Sequence, residues 1–456
     1  MPGMVRGDRA RAIGADELQH VSDRMLGNVE TASLAHEAVL GVEMGLLRQG
    51  WPVGQSLGAL PEVRKRLGIG RPAFREAVTI LEARGLLDVR RGPGGGLFVA
   101  APALEDVVGA VVMYLALGQK THACIGEFRL LVWRAIVDVA IGRRASLPDR
   151  TATAGVDGFA ADLAEQSGKP TLALLARLAE MLVRISHGPA APARDDVLEA
   201  AIQRGDPAKA FAQLDDLAGV ADRDAPTVAL EVAERAFSLS GRKSAMALAA
   251  RMTRELSEGL GTQEAEWETA ERLGYTDNVV RQARRILQDF GIVRCHKGRK
   301  GAELAPPAAP TGVIRLLAPC LVASATPALD LRETIAYLVS SAPVLAARRV
   351  KVADRDPAAP VAPWAGADAF EALTIENHLL ELSGNPLLAI IVRSLGLANI
   401  FVGSAPLVPP DRGDVIAITR RILDAVGAGD VVAAGSLARM KLEVMLRPAE
   451  SYLAVA

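Results

Sequence analysis

Residues 66–96 read RLGIGRPAFREAVTILEARGLLDVRRGPGGG, and the fold follows from this stretch. Gly68 closes a short helix that begins near Pro61, as a left-handed residue at a helix C-terminus does. Pro72 stands in the first turn of the next helix, where its missing N–H costs nothing. Phe74, Ala77, Val78 and Leu81 recur at i, i+3, i+4 and i+7, so one face of a helix from Arg71 to about Arg84 belongs to a core. Arg71 and Arg75 lie four apart on the other side of its first turn. Gly85 stops the helix. Two short strands, LLDV from Leu86 and LFVA from Leu97, then flank the tip RRGPGGG. Upstream, a helix from about Ser33 to Arg48 leads into a turn holding Gly50, Pro52 and Gly54. The order is helix-turn-helix followed by a hairpin wing. In such a motif the second helix enters the DNA major groove N-terminus first. The planar fork of arginine suits guanine edges and phosphates there.

The same plan recurs. Residues 272–302 read RLGYTDNVVRQARRILQDFGIVRCHKGRKGA and align without a gap at an offset of 206 residues. Leu67, Gly68, Arg75, Ala77, Leu81, Gly85 and Gly92 meet Leu273, Gly274, Arg281, Ala283, Leu287, Gly291 and Gly298. Further on, FAADLAEQSGKPTLALLARL from Phe159 resembles TIENHLLELSGNPLLAIIVRSL from Thr374, and VLEAAIQRGDPAKAFAQL from Val197 resembles RILDAVGAGDVVAAGSLARM from Arg421. A tandem duplication is the simplest reading.

Composition sets the frame around this repeat. Half of the 456 residues are hydrophobic and only 4 % aromatic, so the apolar content is mostly Ala, Leu, Val and Ile, and a mainly α chain is expected. The expected division is an extension over 1–30, a winged helix-turn-helix over 31–102, a helical bundle over 103–222, a joint over 223–242, a second winged helix-turn-helix over 243–307 and a second bundle over 308–450. The Pro- and Ala-rich pieces at 188–193, 356–366 and 406–413 read as loops. A formal net charge of -1 gives no general attraction for nucleic acid, so DNA contact must rest on local patches. From Glu62 to Arg91 there are eight Lys/Arg against four Asp/Glu, and the matching stretch of the second copy is less biased. Cys124, Cys295 and Cys320 stand far apart, which argues against a disulfide framework or a zinc site and fits a reducing cytoplasm. The N-terminus lacks a signal-peptide core, and the most apolar run, after Asp106, is too short to span a bilayer. GPGGG lacks the Lys-Ser/Thr ending of a phosphate loop and reads as a hairpin turn. No nucleophile–base pair stands out, so neither an enzyme nor a cofactor is expected.

The run LGIGRPAFREAVTILEARGLLDVRRGPGGGLFV resembles the winged helix of the GntR family of transcription regulators. The helical stretches resemble the ligand-sensing (FCD) domain of its FadR-like branch through Ser167-Gly168, Ser383-Gly384-Asn385, Gly205-Asp206 and Gly429-Asp430. That resemblance implies a cytoplasmic repressor or activator that binds an operator in double-stranded DNA, answers a small-molecule effector and forms a homodimer. A scaffold that has lost DNA binding is the competing class. The DNA-contacting candidates are Arg64, Lys65, Arg71, Arg75, Arg90, Arg91 and Gly92, with Arg281, Lys297, Arg299 and Lys300 in the second copy. Arg129 and Arg332 match the first-helix arginine that would meet an acidic effector. Three departures stand out: Gly70 replaces a Ser or Thr, Pro61 replaces an Arg, and Asp277 takes the place matched by Arg71. Many relatives hold a divalent metal with Asp and His, but the matching positions carry Val156, Ala160, Asp195 and Leu217, then Ala372, Glu376, Thr419 and Lys441. None is His, so no metal is expected. His378 lies two residues past a ligand position and reads as a packing residue.

Overall fold

The computed structural model describes residues 33–148, 158–187, 195–218, 226–239, 244–261, 264–294, 302–305, 310–350, 369–402 and 412–446. Within them the chain is mainly helical with two small antiparallel sheets. The extension at 1–30, the second hairpin tip and most of the three Pro/Ala-rich loops lie outside the described residues.

The first small module runs α1 (Leu34–Arg48), β1 (Ser56–Gly58), α2 (Leu60–Leu67), α3 (Arg71–Ala83), β2 (Leu87–Arg90) and β3 (Gly96–Val99). Ser33 caps α1 through the His36 N–H. Gly68, at φ 67°, ends α2 in the left-handed region where glycine carries no steric penalty. Phe74, Ala77, Val78, Ile80 and Leu81 bury the inner face of α3 against α1. The hairpin pairs Leu87 with Val99 and Arg90 with Gly96. Strand β1 adds a third strand on the far side of β3, in sheet order β1-β3-β2, which the turn chemistry around Gly50–Gly54 did not announce. Trp51 Nε1 donates to the Ala100 carbonyl at 2.7 Å and ties the end of α1 to the end of the hairpin.

Six helices follow: α4 (Leu104–Leu117), α5 (Ala123–Arg143), α6 (Gly158–Gln166), α7 (Pro170–His187), α8 (Asp196–Arg204) and α9 (Pro207–Ala218). The stretch read as a joint carries a helix, α10 (Leu230–Leu239), which packs between α4 and α11 (Ser244–Ser257). Gly109 makes that approach possible, because a Cβ there would lie 2.6 Å from the Phe237 ring. The second small module continues with α12 (Glu266–Leu273), α13 (Asp277–Asp289), β4 (Val293–Arg294) and β5 (Glu303–Leu304). The last helices are α14 (Thr311–Ala323), α15 (Ala328–Val339), α16 (Ala342–Arg349), α17 (Ala369–Leu382), α18 (Pro386–Val402), α19 (Arg412–Gly427) and α20 (Val431–Met445).

The repeated Ser-Gly and Gly-Asp motifs are helix stop–start turns. Gly168, Gly205, Gly384 and Gly429 all adopt positive φ of 62° to 70°. The residue after three of these stops caps the next helix: Asp206 accepts from Lys209 N–H at 3.0 Å, Asp430 from Ala433 N–H at 2.9 Å, and Asn385 from Leu388 N–H at 3.0 Å. Two of these turns also join the bundles reciprocally. Asn385 Nδ2 donates to Glu127 at 2.7 Å and to the Cys124 carbonyl at 3.1 Å, and Arg349 pairs with the same Glu127. In return, Thr171 N–H donates to Asp330 at 2.8 Å, and Lys169 pairs with Asp330 and Glu333. Each bundle thus offers a carboxylate on its second helix, α5 or α15, to the stop–start turn of the other.

A buried ionic cluster joins the two small modules. Arg84 meets Glu43 and lies 2.9 Å from Asp289, while Arg315 lies 2.8 Å from Glu43 and 3.0 Å from Asp289. Each of these side chains is at most 2 % exposed, and the two guanidiniums balance the two carboxylates. Burial alone would push the Asp289 carboxyl up, but the adjacent Arg315 and Arg84 bring it below its ordinary value.

Among the described residues, no helix is long and apolar enough to cross a membrane.

Candidate nucleic-acid interface

Of the cations singled out in the first module, Arg64, Arg71 and Arg75 line one groove. Arg71 and Arg75 are exposed on the first turns of α3. Gly70 stands at the N-cap of α3 without a side-chain bond, so the amide donors of that turn carry no internal side-chain cap. Lys65 is exposed near the end of α2, and Arg64 is half-buried with Nη1 donating to the Ile69 carbonyl at 3.4 Å. Arg91 and Gly92 are exposed at the hairpin tip, where Gly92 takes φ 94°. Arg90 lies with its guanidinium carbon 3.9 Å from the centre of the Phe98 ring, which holds the cation along the hairpin. Lys65, Arg71, Arg75 and Arg91 form no ion pair among the described residues. These four are accessible cations without an ion pair among the described residues.

The second module differs in kind. Arg281 occupies the place of Arg75 but is held by Glu266, 2.8 Å away. Arg285 pairs with Glu76 of α3 at 3.1 Å. Arg272 pairs with Glu264 and with Glu255, both at 2.8 Å. The hydrogen bonds from Arg272 hold the Glu264 carboxyl below its ordinary range against a smaller effect of burial. Arg284 is buried and donates to the Glu264 carbonyl at 2.9 Å. Lys297, Arg299 and Lys300 lie outside the described residues.

The two helices α3 and α13 run side by side, joined by the Glu76–Arg285 pair. Between them opens a groove of about 750 Å³ whose walls include Arg64, Arg71, Arg75, Asn278, Arg281 and Arg285. Sequence reasoning missed this adjacency, the Glu76–Arg285 pair and Glu266. The alternation of Arg and Glu at these positions was visible, but nothing in one chain says which distant helix will lie alongside.

The effector and metal positions resolve differently. Arg129 Nε lies 2.7 Å from the buried Glu180, which also accepts from Trp133 Nε1 at 3.0 Å, so an internal carboxylate already faces this arginine. Among the described residues Arg332 forms no such pair, and its buried Nε has no hydrogen-bond partner there. Glu376 and Lys441, at two of the positions matched to metal ligands, form an ion pair with each other, and Thr419 is buried. An ammonium pairing with the nearest carboxylate does not suit a metal ion. Among the described residues no three His, Cys, Asp or Glu side chains group to hold one. Ala160 is core and Asp195 caps α8, while Leu217 is exposed. Val156 and the Ala372 side chain lie outside the described residues. His378 is half-buried in α17. Burial pushes the Cys124 thiol up to about 12 and the Cys320 thiol up to about 11, far from a reactive thiolate.

No family model matches the chain, and no curated protein matches it. Among solved structures, a chain described as Streptococcus agalactiae GntR aligns over 44 % of this chain and 97 % of its own length, at 20 % identity and a TM-score of 0.32. A likeness that loose decides nothing about this chain.

Proposed function

We propose that this chain is a DNA-binding transcription regulator that reads duplex DNA with the first of two tandem winged helix-turn-helix modules. The observation that carries the reading is the exposure of Lys65, Arg71, Arg75 and Arg91 on the helix-turn-helix and its hairpin tip, none of them in an ion pair among the described residues. Helix α3 has the geometry to enter a major groove N-terminus first, with Arg71 leading and Arg75 one turn behind. The uncapped first turn adds backbone N–H donors and the positive end of the helix dipole for a phosphate. The hairpin tip supplies Arg90 and Arg91 to the neighbouring backbone.

The contact between α3 and α13 supports a compact site. Two reading helices that touch cannot occupy successive major grooves about 34 Å apart, as spaced helix-turn-helix dimers do. Because the two modules differ at Arg71/Asp277 and Pro72/Asn278, the two sides of the site are unequal. The helical bundles hold the modules in register and are where a small-molecule effector would act. An acidic effector would find Arg332 without an ion pair among the described residues and Arg129 already faced by Glu180.

Genome-wide mapping of DNA captured by the full chain in its own cells tests this reading. Discrete peaks are expected, and Arg71→Ala with Arg75→Ala should erase them while the protein level holds. Absence of peaks from the unaltered chain, or peaks that survive the double substitution, would favour the scaffold class instead.

A further inference from the structure

The two modules carry opposite charge at corresponding places. Residues 58–71, which form α2 and lead into α3, hold four Lys/Arg and one carboxylate. Residues 264–277, which form α12 and lead into α13, hold one arginine and five carboxylates: Glu264, Glu266, Glu268, Glu271 and Asp277. That single arginine, Arg272, is already paired with Glu264 and Glu255. Asp277 stands in the first turn of α13, where α3 has Arg71, and so offers a negative charge at the point where a phosphate would approach. One turn on, Arg281 is drawn 2.8 Å from Glu266, whereas Arg75 forms no ion pair among the described residues.

An exposed ion pair on its own would give way to a phosphate, since such pairs are weak in water. Arg281 is 54 % exposed, so the pair alone does not close the helix. The surrounding field does. To reach Arg281 a phosphate would have to displace Glu266 while also approaching Asp277, with Glu268 and Glu271 on the same helix as Glu266. In a duplex held nearby by α3, the local phosphate density is fixed, and each uncompensated carboxylate raises the cost of approach.

We infer that Glu266 and Asp277 close the second reading helix, α13, to nucleic acid, so that the chain reads its DNA site from one side through α3. This rests on the DNA-binding reading above. It names the residues that set the asymmetry of the site: a carboxylate that occupies Arg281 as a phosphate would, and a carboxylate where the leading arginine would stand. Helix α13 then serves to brace α3, through Glu76–Arg285 and the buried cluster at Asp289.

The test is a hydroxyl-radical footprint and a binding titration of the full chain on a duplex drawn from its strongest captured site. The unaltered chain should protect one side of the site strongly. Glu266→Gln with Asp277→Arg should extend the protection to the other side and tighten binding several-fold at low salt. Adding Arg281→Ala to that variant should reverse much of the gain. Glu266→Gln alone, which keeps size and removes one charge, should give part of it. Equal protection of both sides by the unaltered chain would overturn the inference. So would variants that keep their circular dichroism and melting temperature yet bind and protect as before. No footprint from the unaltered chain would instead sink the DNA-binding reading, and this inference with it.

Discussion

Asp289 sits between two buried guanidiniums and is the residue on which the joint between the modules turns. It reaches Arg84 at 2.9 Å and Arg315 at 3.0 Å, with Glu43 closing the cluster. A buried pair is a poor source of net stability when intact, because desolvation offsets most of the attraction. Removing one partner is another matter, since two cations would then share one carboxylate in the interior. Asp289→Ala should lower the unfolding free energy by about 3–5 kcal/mol, read as a lower urea midpoint. The pH dependence has a definite sign. The folded Asp289 carboxyl lies below its ordinary value, so its contribution is present above an unfolded pKa of about 3.9 and is lost as pH falls through the folded value. The unaltered chain should therefore lose stability in acid more steeply than Asp289→Ala. Glu43 is a charge on the buried side of α1 next to Val39 and Leu47, and the sequence reading did not single it out. Its partners were not legible either, because Asp289 and Arg315 lie more than two hundred residues away in sequence.

Local chemistry made the helices and the hairpin readable. Gly68, Pro72 and Gly85 bracket α2 and α3, and the apolar spacing of Phe74, Ala77, Val78 and Leu81 gave the buried face that the structure has. Strand β1 escaped notice because three residues, Ser56–Gly58, carry no alternation to detect and gain their place only by pairing with β3. The closeness of that pairing explains Gly96. A Cβ there would lie 2.5 Å from the Gly58 carbonyl oxygen, and neither backbone can yield without breaking the sheet. Gly96→Ala should cost about 1–3 kcal/mol. It should also displace the hairpin tip, so that DNA affinity falls even though no charge is lost. Gly94→Ala, with open space around its Cβ, isolates the cost of a positive φ alone and should do less.

The two small modules carry unlike charges where they meet. The stop–start turns of Lys169-Pro170-Thr171 and Asn385-Pro386 grip carboxylates on the opposite bundle in the same way, which keeps the bundles paired. The small modules, by contrast, diverge: Arg71 and Arg75 form no ion pair among the described residues, whereas Arg272, Arg281 and Arg285 are paired with carboxylates. The repeat itself was visible in the sequence as an unbroken offset, and so was Asp277 in the leading position. The side-by-side placement of α3 and α13 was not, because it depends on how the bundles dock. The measurement that bears most directly on the function is the salt dependence of binding to a labelled duplex from the DNA upstream of the chain's own coding region. One phosphate each at Lys65, Arg71, Arg75 and Arg91, the exposed cations without an ion pair among the described residues, predicts that log affinity falls with log salt at a slope of at least about 3.6 in magnitude, from about 0.9 per contact. Arg71→Ala with Arg75→Ala should flatten that slope by about 1.8. A slope near zero for the unaltered chain, or one that the double substitution leaves unchanged, would contradict the account.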